Sequence, residues 1–182
     1  ALGFQAGTST TGGTPNTFIG TSAGALNTGG ANNVALGHQA LYSNADTNFN
    51  SAVGNYALYS QNAGGRNVAV GYNALLDDEK GARNVAIGWG SLSNQDFSSI
   101  TTAYNTAVGY NTGAANTTGA NLTFIGALAG DANTTGGANT ALGTNSLSTN
   151  TTGSNNIAIG YLALGANTTA SGNIAIGNYV LD

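Results

Sequence analysis

The phrase Asn84-Val-Ala-Ile-Gly88 returns along the chain in close variants, and it returns in phase. Its closing glycine stands at Gly3, Gly20, Gly37, Gly54, Gly71, Gly88, Gly109, Gly126, Gly143, Gly160 and Gly177. Nine of the ten intervals are 17 residues and one, Gly88 to Gly109, is 21. A fixed period restricts the chain to stacked copies of one small unit, each copy burying the next.

The columns of the repeat say what the unit is. The residue before the glycine is always aliphatic, from Leu2 and Ile19 to Ile159 and Ile176. Two before is Ala, except Phe18 and Phe124; three before is mostly β-branched; four before is Asn, except Leu122. Three after is small, except Val180, and four after is Leu or Gly throughout. β-branched residues and frequent glycines disfavour a helix. Alternation of the phrase between two faces suits a strand. Hairpins are disfavoured, because neither Asn-Gly nor Asp-Gly occurs. The expected fold is therefore all-β: a parallel β-solenoid of about eleven 17-residue coils over residues 1–182. Coils about 4.7–4.9 Å apart would make a rod of roughly 50 Å. The array starts and stops inside a repeat, which predicts a slice of something longer.

In this reading the aliphatic column forms an apolar spine inside the coil. The glycine column supplies a backbone shape or close approach that other residues resist. The Asn column forms an amide ladder. Burying an apolar side chain contributes roughly 1.5–3 kcal/mol, while ordering a residue costs about 1–2 kcal/mol. A thin core of this kind predicts an oligomer, with the Ala face packed against another chain.

Composition removes several functions. Three basic residues, Arg66, Lys80 and Arg83, against seven acidic ones give a net charge of −4 and no basic stripe, so nucleic-acid binding has no electrostatic basis. No apolar run approaches the length of a membrane-spanning helix. There is no cysteine, and His38 is the only histidine, which leaves no recurring catalytic triad. No enzyme activity and no cofactor are expected. Asp77, Asp78, Glu79 and Asp96 lie in neighbouring turns, where carboxylates can bind Ca²⁺ or simply face solvent. The Thr pairs at 117–118, 134–135, 151–152 and 168–169 invite an ice-binding reading, but their column breaks at Ala45, Asn62 and Glu79.

Two sets of residues are candidates for a ligand site. Tyr72, Trp89 and Tyr110 follow the glycine on three consecutive coils. Such a ladder stacks on sugar rings if exposed, or packs between chains if buried. The other set lies in the interval of 21. Four extra residues within 94–104 predict a loop that bulges from the rod, with pairing resuming at Asn105. It carries Phe97, Ile100 and Tyr104, which either meet a partner or fold back.

The wording of the repeat resembles known fibres. Asn84–Ser91 is similar to repeats in the β-roll heads of trimeric autotransporter adhesins. Asn150–Leu164, "NTTGSNNIAIGYLAL", is more similar to the tandem 17-residue units of bacteriophage tail-fibre proteins. The resemblance covers essentially the whole chain. It implies a homotrimer in an extracellular fibre, on a virion tail or a bacterial surface, that meets a cell-surface glycan or protein receptor. A phage tail fibre is the first expectation and a bacterial adhesin head the second. An ice- or polysaccharide-binding solenoid is the third. No membrane insertion is expected of this segment.

Overall fold

A computed structural model describes all residues, Ala1–Asp182. The strands are β1 (Asn16–Ile19), β2 (Asn33–Leu36), β3 (Ser51–Val53), β4 (Val68–Val70), β5 (Gly81–Ala82), β6 (Val85–Ile87), β7 (Thr101–Thr102), β8 (Thr106–Val108), β9 (Thr123–Ile125), β10 (Thr140–Leu142), β11 (Ile157–Ile159) and β12 (Ile174–Ile176). There is no helix. Ten strands form one parallel sheet in the order β1-β2-β3-β4-β6-β8-β9-β10-β11-β12. Each pairs with its equivalent one repeat on: Thr17 with Val34, Val68 with Val85, Thr140 with Ile157. This is the expected parallel β-solenoid. Its coil number is about nine turns rather than eleven: the first phrase contributes only an isolated bridge from Leu2 to Ile19, and the ten remaining strands are joined by nine steps. The sheet is about 40–45 Å long.

The faces are the reverse of the expected ones. Ala35, Ala52, Ala69, Ala86, Ala107, Ala141 and Ala158 are all buried, and so are Phe18 and Phe124. The aliphatic column points outward, with Leu36, Ile87, Ile125 and Leu142 exposed. Alternation says only that the two sets face opposite ways. Which set goes inside depends on the width of the coil. The opposite wall already places Leu41, Leu58, Leu75, Leu92, Leu147 and Leu164 in the interior. Against those leucines the sheet side has room for a methyl group.

The two phenylalanines support this account of the core. In the coils around them the inward leucine is replaced by Gly7, Gly24, Gly113 and Gly130. A Cβ on Gly24 would lie 2.7 Å from the Phe18 ring, and one on Gly130 2.5 Å from the Phe124 ring. One aromatic ring thus occupies the space left by two missing leucines, which conserves core volume across the exception.

The glycine that closes each phrase is required twice over. Gly71 has φ +135°, and a Cβ there would meet the Gly88 carbonyl oxygen at 2.4 Å. The leucines four residues further on carry a cost of their own, since Leu41 and Leu58 have φ +53°. A side chain in the left-handed region costs roughly 1–2 kcal/mol. Full burial of the leucine contributes roughly 1.5–3 kcal/mol and outweighs that strain.

Two polar columns line the rest of the interior. The phrase Asn forms the expected ladder, but it bonds to backbone instead of to the amide above it. Asn33 N–H donates to Asn16 Oδ1 at 2.9 Å, and Asn50 N–H to Asn33 Oδ1 at 2.9 Å. Most of the Nδ2 groups reach a turn carbonyl, as Asn67 does to Gly81 O at 2.9 Å, while Asn50 donates to Thr47 Oγ1 and Asn84 to Asp78 Oδ2. At Leu122 the column loses its oxygen for the next coil. A second column consists of Asn27, Asn44, Gln61, Asp78, Gln95, Asn116, Asn133 and Asn150, all fully buried. Here amides bond directly from coil to coil, as Asn133 Nδ2 does to Asn116 Oδ1 at 2.9 Å. Buried amides with satisfied hydrogen bonds fix the register of successive coils.

Candidate functional site

The aromatic ladder is formed by coil stacking. Tyr72, Trp89 and Tyr110 share one column on consecutive coils, so their rings lie one above another. The centroids are 5.8 Å and 5.2 Å apart, with planes at 14° and 17°. The three residues are 42%, 47% and 52% exposed. Stacking covers most ring faces, so the ladder presents edges to solvent. Tyr56 sits edge-on to Tyr72 at one end, with centroids 6.0 Å apart. At the other end the column continues with Ala127, which leaves the outer face of Tyr110 uncovered by a ring.

Beside Tyr72 the surface is concave. A cleft of about 400 Å³ is lined by Tyr56, Tyr59, Ser60, Tyr72, Asn73, Leu76 and Asp77. Tyr42 stacks on Tyr59 at 5.1 Å and 6°, fixing one wall. The Asp77 carboxyl has its pKa raised, first by burial and second by the charge of Asp96. Aromatic walls with an amide, a hydroxyl and a carboxyl suit a polar ring-shaped ligand. Tyr42, Tyr56 and Tyr59 were not among the candidates read from the sequence, and Asp77 was read there only as a possible Ca²⁺ ligand. The signal for Tyr42 and Tyr59 was the tripeptide Leu-Tyr-Ser, which recurs at 41–43 and 58–60, one repeat apart.

The insertion does not bring Phe97, Ile100 and Tyr104 together as one contact surface. Phe97 is buried at 4% exposure, while Ile100 is 68% and Tyr104 53% exposed. The segment returns to the rod through a two-stranded parallel sheet, β5 with β7, in which Gly81 pairs with Thr101. Thr101 N–H donates to Lys80 O and Ala103 N–H to Ala82 O, both at 3.1 Å. Pairing in the main sheet resumes at Thr106, with Asn105 N–H on Asn84 Oδ1 at 3.1 Å. Deleting Ser98–Thr101 removes this pairing and the seat of Phe97. The deletion is expected to lower stability in a denaturant titration by about 1–3 kcal/mol, whereas Ile100→Ser leaves it unchanged.

Other candidates have structural roles. Asp78 points into the core while Glu79 pairs with Lys80 at 3.6 Å. No group of three His, Cys, Asp or Glu side chains is placed to hold a metal ion. Thr117, Thr134 and Thr151 each donate their hydroxyl to a carbonyl of the next coil, at 3.0, 2.9 and 3.0 Å. Those hydroxyls hold coils together and do not form a free array. No helix is long and apolar enough to cross a membrane.

The site and fold together define a β-solenoid repeat protein with an aromatic surface on its middle coils. Compared with family models, curated proteins and solved structures, the chain matches none.

Proposed function

We propose that the chain is a structural and adhesive segment of an extracellular fibre, most closely a bacteriophage tail fibre, and that it works as a homotrimer. The observation that carries this reading is the outer face of the sheet. From β1 to β12 its two outward columns contain no charged residue, and exposed Val34, Leu36, Ile87, Ile125, Leu142, Ile157 and Ile174 stand along it. A contiguous apolar strip of that extent marks an interaction surface. Copies of one chain with the same period can cover it in register. The interior is closed by leucines and amides, and the chain's only histidine, His38, packs edge-on against Tyr56 at 5.1 Å. The rod therefore serves to project and present a surface.

A bacterial surface adhesin head would use the same geometry, and the wording of the 17-residue unit favours the tail fibre. The aromatic cleft beside Tyr72 favours contact with a cell-surface glycan over a role as shaft alone. The adhesive half of the reading is tested by adding the fluorescently labelled segment to a panel of bacterial cells. Saturable binding that unlabelled segment displaces is the expected result. Binding to none of the panel would limit the segment to a shaft.

A further inference from the structure

Five residues before the phrase glycine, in the units closing at Gly37 through Gly160, the backbone turns through the left-handed region. The column reads Asn32 (φ 59°), Phe49 (63°), Arg66 (61°), Arg83 (62°), Tyr104 (53°), Asn121 (60°), Ala138 (54°) and Asn155 (60°). Asn adopts this conformation readily, and it occupies the column in coils on either side. The four middle coils instead carry two bulky aromatics and two arginines. Each holds a sparsely populated, strained backbone conformation, so the backbone does not account for the choice.

The side chains form a row. The Arg66 guanidinium lies 5.4 Å from the centroid of the Phe49 ring. The Arg83 guanidinium lies 5.5 Å from the Tyr104 centroid, and its Nη1 donates to the Tyr104 hydroxyl at 2.7 Å. Each arginine is thus held by the aromatic residue on its outer side, one toward each end of the row. All four residues are exposed. Seven acidic residues are present, yet the single ion pair is Lys80 with Glu79. The acidic residues lie in the turns, and neither arginine has a carboxylate within ion-pair distance.

We propose that Arg66 and Arg83 form an oxyanion-binding site for an acidic saccharide, with one carboxylate or sulfate group held between the two guanidiniums. The planar guanidinium fork matches such oxygens in bidentate geometry. Rings stacked behind the forks hold them in orientation and reduce the entropy lost on binding. The site stands apart from the cleft at Tyr56, and it does not depend on the fibre reading.

The test is a calorimetric titration of the assembled protein at low salt with four probes: a galacturonate oligomer, a dextran sulfate oligomer, neutral dextran and inorganic sulfate. Both acidic oligomers are expected to bind, more weakly as salt is raised, and neutral dextran is not. Preference between the two acidic oligomers identifies the anionic group as carboxylate or sulfate. Replacing both Arg66→Gln and Arg83→Gln should weaken binding by at least about tenfold, with an unchanged circular dichroism spectrum and melting temperature. Replacing both by Lys keeps the charge and loses the fork, so an intermediate affinity is expected. No binding of either acidic oligomer, or equal binding by the double Gln variant, would overturn the proposal. Inorganic sulfate binding as tightly as the oligomers would overturn its saccharide part.

Discussion

Replacing Asp78 by Asn is expected to raise the melting temperature at pH 8 and to leave it nearly unchanged at pH 4. Asp78 occupies a column that other coils fill with Asn or Gln, and it is fully buried. Its Oδ1 accepts from Gly81 N–H at 2.8 Å, and its Oδ2 from Gln95 at 3.1 Å and Asn84 at 3.3 Å. Its pKa is raised to about 7, chiefly by burial and to a lesser extent by the charge of Asp96, with the three hydrogen bonds opposing the rise. Asp77 and Glu79 flank it in sequence, and Lys80 is engaged with Glu79. A carboxyl group with a folded pKa above its unfolded value keeps its proton in the fold after the unfolded chain has lost it. Its contribution is therefore complete below the unfolded value of 3.8 and is lost as pH rises to about 7. The difference is roughly 3–5 kcal/mol. An amide at this position has no proton to lose and continues the ladder. Thermal melts of both proteins from pH 4 to pH 8 decide the matter. A parent stability that is flat across that range would refute the assignment.

Phe124→Ala is expected to cost about 3–5 kcal/mol, as much as any core substitution in the rod. The ring alone fills the space beside Gly113 and Gly130, so its removal leaves a cavity that small neighbours cannot close. The variant can be repaired on the logic of the other coils. Adding Gly113→Leu and Gly130→Leu to Phe124→Ala reproduces the arrangement around Leu75 and Leu92. The two positions already have φ +59° and +57°, close to +51° at Leu75. Denaturant titration of the single and triple variants should show most of the loss recovered. No recovery would mean that the two columns do not face each other.

That pairing was legible in the sequence, although the face assignment read from it was reversed. Phe18 and Phe124 replace Ala in the two places where consecutive units carry Gly instead of Leu four residues after the glycine. Such compensation has a physical meaning only if both columns share one interior. The strand, the register and the need for glycine all follow from the period. Inside and outside do not, because alternation is symmetric and hydrophobicity favoured the larger aliphatic residues. The second amide column was also readable, as Asn, Gln or Asp seven residues after the glycine, but its polarity suggested a surface turn. Of the candidate site, the ladder from Tyr72 to Tyr110 followed from its column. The loop at 94–104 did not resolve into contact and packing residues, because burial of Phe97 beside exposure of Ile100 depends on how the insertion folds back.

The reversed face changes what substitutions there mean. Ile87 is 38% exposed on the single chain, so Ile87→Asp does not bury a charge within the coil. It places a charge on the strip that copies of the chain are proposed to share. Sedimentation equilibrium of the parent and of Ile87→Asp tests this most directly. The parent is expected at three times the chain mass of 17.9 kDa. The variant is expected to shift toward a single chain mass while keeping its β-sheet circular dichroism. A parent that stays folded at one chain mass across the concentration range would contradict the account.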